Sequence, residues 1–109
     1  MRRLFSILVL AIALLISGPT FPALAEPLDG KQLFTANCTA CHLGGNNVIL
    51  ANKTLRMEAL EKYEMNSLEA IENQIKHGKN AMPAFGGRLN DEQIGAIAAY
   101  VLEQSAQGW

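Results

Sequence analysis

Hydrophobic positions along the chain fall into two regimes. Leu4 to Ile16 is an apolar run broken only by Ser6, whereas from Asp29 onward apolar residues recur at intervals among polar ones. The last such segment is the clearest. Ile94, Ile97, Ala98, Val101 and Leu102 fall at i, i+3, i+4, i+7 and i+8, one continuous stripe on a helix. Asn90 and Gln93 stand before it at the spacing of a reciprocal cap.

Three further helices are predicted. One follows Asp29, has Gln32 three residues on, carries Leu33 and Phe34, and runs into Cys38. A second starts near Thr54, with Leu55, Ala59 and Tyr63 in register and Leu60 beside them. A third starts after Asn66, with Glu69 at the capping spacing; Leu68, Ile71 and Ile75 face one way and Gly78 stops it. Between the first two lies a loop rich in glycine and asparagine, from Gly44 to Asn52. Its apolar residues Val48 to Ala51 are too few to predict a strand. Gly95, inside the last stripe, costs about 1 kcal/mol of helix propensity relative to alanine. It marks either a weak point or the close approach of another backbone.

The apolar run near the start belongs to a different kind of segment. Arg2 and Arg3 precede it, the breakers Ser17, Gly18 and Pro19 follow it, and Ala23-Leu24-Ala25 supplies small residues at a stop. That order predicts a secretory signal peptide over residues 1–25, with cleavage after Ala25. As a membrane anchor the run is too short, since a spanning helix needs roughly 20 residues. The mature domain is then 26–109, one small all-α unit without repeats or linkers. A chain of this size is marginal without a disulfide, a metal or a large cofactor.

Processing also changes the charge. The leader carries two of the nine basic residues and none of the ten acidic ones, which leaves the mature chain at −3. A nucleic-acid partner, which wants a basic face, is disfavoured.

The chemistry concentrates in Cys38-Thr-Ala-Cys-His42, which holds both cysteines and one of the two histidines. Three uses fit this spacing. In the first, each thiol adds across a vinyl group of one porphyrin, and the adjacent imidazole of His42 ligates the iron. In the second, the cysteines cycle between dithiol and disulfide. In the third they form a structural disulfide. The second expects strands alternating with helices. The third would close a very short loop and constrain little of the unfolded chain. Zinc would need ligands that the chain lacks, since only His77 remains. Covalent haem is the reading the following histidine favours.

A second axial position has four candidates: His77, Met57, Met65 and Met82. Met82 lies in Asn80-Ala-Met-Pro-Ala-Phe85, after the third helix, where Pro83 stiffens the backbone. Taken alone, a methionine is more often a core filler. Met57 and Met65 read that way, and His77 reads as a cation at a helix C-terminus. Filling the sixth position with protein marks an electron carrier, whereas an open position marks a haem enzyme or gas sensor.

Together, Cys38-Thr-Ala-Cys-His-Leu-Gly-Gly-Asn-Asn47 and Lys79-Asn-Ala-Met-Pro-Ala-Phe-Gly-Gly-Arg-Leu89 resemble the cytochrome c6 family, and the likeness extends to Gly108-Trp109. The resemblance implies a small class I cytochrome c fold, about four helices around one covalent haem c. It implies Cys38 and Cys41 as thioether attachments, His42 and Met82 as axial ligands, and Gly30, Phe34 and Tyr100 where the first and last helices cross. Gln74 matches a glutamine associated with a high haem potential, and Arg88 a position implicated in docking. The family's role implies an electron carrier, not an enzyme, in the thylakoid lumen. It takes electrons from the cytochrome b6f complex to photosystem I, with a terminal oxidase as a further acceptor. A respiratory carrier donating to a terminal oxidase is the alternative function, and the periplasm the alternative location. A monomer forming transient complexes is expected.

Overall fold

The computed structural model describes residues 28–109, together with Gly18 and Pro19. The leader over 1–25 and its cleavage point otherwise lie outside the described residues. Five helices follow in order: α1 (Gly30–Asn37), α2 (Thr39–His42), α3 (Met57–Lys62), α4 (Leu68–His77) and α5 (Asp91–Gln107). A 3₁₀ turn over Leu43–Gly45 trails α2. Among the described residues, β pairing is limited to an isolated bridge between Lys79 and Met82.

Three of the five helices, α1, α4 and α5, start where a side chain takes their free amides. The Asp29 carboxylate accepts from the Lys31 and Gln32 amides at 3.0 and 3.3 Å. Asn90 and Gln93 form the expected reciprocal pair, at 2.8 and 2.9 Å. The cap of α4 is Ser67 rather than Asn66. Its hydroxyl accepts from the Ala70 amide at 3.1 Å, and its extended backbone ends the preceding turn. The second predicted helix begins later than Thr54. Thr54 Oγ1 instead accepts from the Arg56 amide, making a turn before α3.

The first predicted helix ends at Asn37, and α2 is a separate turn. Cys38 breaks the run with φ of −119°, although its amide still reaches the Phe34 carbonyl at 2.8 Å. The break re-aims the chain and sets the cysteine sequence on its own turn.

The core is small and centres on α5. Ile94, Ile97, Ala98 and Val101 are buried, and Leu102 is half-buried. Ser105 is buried too, its hydroxyl donating to the Leu102 carbonyl at 2.8 Å. Phe34 from α1, Leu60 from α3, Ile71 and Ile75 from α4, and Phe85 from the following loop complete the cluster. An exposed ion pair, Lys76 to Asp91 at 3.1 Å, joins the end of α4 to the start of α5. It contributes little at that exposure.

Helix α1 crosses α5 at Gly30. A Cβ there would run into the Ala96 carbonyl and come within 3.0 Å of Tyr100 Cβ. The rings of Phe34 and Tyr100 meet at 5.3 Å beside the crossing. Gly95 sits differently. What approaches it is a side-chain tip, Glu72 Oε1, 3.3 Å from a would-be Cβ. These surroundings set opposite outcomes for the same substitution. Gly30→Ala is expected to cost about 1–3 kcal/mol, since backbone cannot yield. Gly95→Ala is expected to add up to about 1 kcal/mol, since a carboxylate can swing aside while the helix gains propensity. Equilibrium denaturation of the two variants checks both signs.

Candidate cofactor and metal site

Helical geometry brings the two thiols and the imidazole together. Cys38 immediately precedes α2 and His42 ends it, and the Cys38 carbonyl accepts from the amides of Cys41 (3.2 Å) and His42 (2.9 Å). Residues three and four apart on such a turn share a face. Cys38, Cys41 and His42 therefore project to one side. Both cysteines are free thiols and all three residues are half-buried. Cys38 borders the core cluster, and burial pushes its thiol up to about 11. That shift is in the wrong direction for a nucleophilic thiolate, which a disulfide oxidoreductase needs lowered.

The tautomer of His42 follows from its partner. Its Nδ1 lies 2.9 Å from the Asn46 carbonyl oxygen, which can only accept. Nδ1 therefore carries the proton, and Nε2 keeps a lone pair for a metal. The loop that presents Asn46 is built from its own polar side chains. Asn47 Oδ1 accepts from the amides of Ile49 and Leu50, and Asn47 Nδ2 donates to the Lys53 carbonyl at 2.9 Å. The Leu55 amide donates to the Gly45 carbonyl at 2.7 Å, closing the loop base. At that base Gly45 has φ of +79°, and a Cβ would meet the Trp109 ring at 2.5 Å. Only glycine satisfies both conditions.

Trp109 completes this end of the molecule. Its Nε1 donates to the Leu55 carbonyl at 2.8 Å, and its ring packs against Phe34 and Tyr100 at 5.5 and 6.1 Å.

Met82 is held by the end of α4. The last turns of a helix leave carbonyls without partners. Here the amides that follow take them: Gly78 to Gln74 O, Phe85 to Ile75 O and Gly86 to Lys76 O, at 2.7, 2.9 and 3.1 Å. Within this frame, Lys79 and Met82 exchange backbone hydrogen bonds at 3.0 Å across a tight turn, with Asn80 at φ of +53°. Gly78, at φ of +69°, admits the Met82 carbonyl where a Cβ would lie 2.6 Å away. The half-buried Met82 borders the core, and Gln74 Nε2 donates to its sulfur at 3.4 Å. One sulfur lone pair is so engaged, and the other remains for a metal.

The other candidates are placed differently. Met65 packs on the core as a filler, and Met57 is half-buried on α3. His77 is exposed in the last turn of α4, its Nδ1 engaged with the Asn73 carbonyl at 3.0 Å. Among the described residues, His, Cys, Asp and Glu form no group of three suited to a metal ion, so a protein-only zinc site has no support there. The Arg88 guanidinium lies 4.5 Å over the Phe85 ring, at the surface.

Neither the His42–Asn46 nor the Arg56–Asn46 contact is visible to motif reading. The only sequence signal was the density of asparagine and glycine after His42. The donor set nonetheless fits a haem c: two unpaired thiols on one turn, an imidazole with a free Nε2, and a thioether with a free lone pair. Leu43, Val48, Ile49 and Leu50, all exposed, add apolar surface beside that turn suited to a porphyrin.

Several known proteins are similar to this chain. A family model described as cytochrome C oxidase, cbb3-type, subunit III matches residues 25–101. Cytochrome c6 of Thermosynechococcus vestitus is 55% identical over 108 residues, covering 99% of this chain and 96% of its own. Cytochrome c6 of Gracilaria tenuistipitata var. liui is 52% identical over 110 residues, covering 100% of both. The crystal structure of cytochrome c6 from the diatom Phaeodactylum tricornutum superposes with a TM-score of 0.72 at 55% identity, over 73% of this chain and 94% of that one.

Proposed function

Because the chain belongs to the cytochrome c6 family, and so is an electron carrier with one covalent haem c, we propose that it moves single electrons from the cytochrome b6f complex to photosystem I. Cys38 and Cys41 would hold the porphyrin through thioethers, and His42 Nε2 and Met82 Sδ would ligate its iron. The haem supplies the one-electron couple between ferrous and ferric iron. The work of this chain is to hold both ligands still and to keep water away. The observation that carries the reading is the Met82 sulfur, fixed between a backbone-anchored loop and the Gln74 amide. A thioether held this way would fill the place that a substrate or gas needs, which favours a carrier over a haem enzyme.

Gln74 has a directional effect on this couple. Its amide withdraws electron density from a sulfur whose donation the ferric state needs more. Gln74→Val is therefore expected to lower the midpoint potential by about 40 mV, one hydrogen bond of about 1 kcal/mol expressed as a one-electron shift. A spectroelectrochemical titration reads it.

The proposed setting is the thylakoid lumen, reached after cleavage of the leader behind Ala25, as a soluble monomer. Among the described residues, no helix is long and apolar enough to cross a membrane. Rapid turnover between donor and acceptor requires small, transient interfaces. A terminal oxidase is proposed as a second acceptor. Flash-induced electron donation to photosystem I, measured beside donation to a terminal oxidase, tests the assignment. Turnover with the oxidase alone would overturn the photosynthetic role.

A further inference from the structure

Asn46 makes three hydrogen bonds, and the third has no part in the donor set. Its amide donates to the Leu43 carbonyl at 3.2 Å, and its carbonyl accepts from His42 Nδ1 at 2.9 Å. Its side-chain Oδ1 accepts from Arg56 Nη2 at 3.1 Å. The backbone of Arg56 is itself fixed, while its side chain is exposed. It stands at the N-terminal boundary of α3, its amide bound to Thr54 Oγ1 and its carbonyl accepting from the Ala59 and Leu60 amides at 3.0 Å. The guanidinium thus ties the residue that accepts the imidazole hydrogen bond to the start of a helix ten positions away.

The geometry points to Arg56 as a positioning residue for the His42 imidazole, acting through the Asn46 carbonyl. This rests on His42 being an axial ligand. A ligating histidine donates more strongly the firmer the acceptor on its other nitrogen, because the imidazole gains imidazolate character. Arg56 restricts the swing of Asn46 and keeps that acceptor aligned. Added donation favours ferric iron, so the brace lowers the potential. The positive charge of Arg56 acts in the opposite sense, so charge and hydrogen bond must be separated by choice of variant.

Three holoprotein variants do this. Arg56→Leu removes charge and donor, Arg56→Gln removes charge and keeps an amide donor, and Arg56→Lys keeps both. The neighbouring Leu55-to-Gly45 backbone bond is untouched in all three. Nuclear magnetic resonance on the reduced protein follows exchange of the His42 Nδ1 proton with solvent. Arg56→Leu is expected to speed exchange about fivefold, the effect of losing one hydrogen bond of about 1 kcal/mol. Arg56→Gln and Arg56→Lys are expected to restore protection, and Arg56→Leu to have a higher potential than Arg56→Gln, which shares its charge. Unchanged exchange in Arg56→Leu would overturn the inference. So would Arg56→Gln behaving as Arg56→Leu, which would leave charge as the sole agent. His42 ring protons lacking the displacement that a haem imposes on its ligand would overturn the ligand assignment itself. That result is distinguishable from displaced protons whose exchange ignores Arg56.

Discussion

With Met82 as the proposed second ligand, Met82→Ala is expected to leave the iron accessible. The reasoning runs from the loop to the metal. The sulfur is the one group that the Gly78–Gly86 framework and the Gln74 amide jointly hold, and alanine leaves that framework intact while removing the donor. Met65 packs against the core and would have to leave it to substitute. Water or an added small ligand then takes the position. The ferric spectrum should lose the weak far-red band of thioether ligation and gain high-spin features. Carbon monoxide should bind the ferrous form. The midpoint potential should fall by on the order of 0.1 V or more, given the span that axial ligands command. Optical spectra with and without carbon monoxide, and a redox titration, read all three. A variant with unaltered spectrum and potential would remove Met82 from the site and reopen the enzyme and sensor readings.

A second large effect is expected from replacing both cysteines. Cys38→Ser with Cys41→Ser leaves nothing to bond the porphyrin, so the mature mass should equal that of the bare polypeptide. Acid-acetone extraction should leave no colour with the protein. The fold should suffer as well. Among the described residues the core holds nine buried apolar side chains, while Leu43, Val48, Ile49 and Leu50 stand exposed. A domain this small gains too little from such a core to hold its order without a staple. Circular dichroism should show most of the helical signal lost at ambient temperature. Full helicity without haem would mean that the polypeptide supplies its own stability. Retained haem would mean that the thiols are not the attachment.

Much of this architecture was legible before any coordinates. The α5 stripe and its Asn90–Gln93 pair were readable because both are local: helical periodicity and a three-residue spacing. Gly78 was readable as a stop for the same reason. Local rules also erred where two local solutions compete. Asn66 and Ser67 can both cap, and the choice of Ser67 depends on how the preceding turn ends. The chain break at Cys38 has no marker in the residue pattern, because Thr39 to His42 continues in helical conformation and only the direction changes. Gly30 was recognisable as a crossing point through family likeness, not through spacing. Gly95 was left between two explanations, and the answer, a carboxylate tip from α4, depends on tertiary packing. At the candidate site the thiols and His42 were singled out by motif, and Met82 by family likeness. The groups that orient them were not. The Asn46 carbonyl is backbone, which every residue carries, and the Trp109 Nε1 bond to Leu55 spans 54 positions. No sequence pattern records a contact of that kind.

That contact has a consequence for cooperativity. Trp109 lies against Gly45, hangs from the Leu55 carbonyl and packs on Phe34 and Tyr100. The loop base, α1 and α5 therefore meet on one indole, and a smaller side chain there would loosen all three at once.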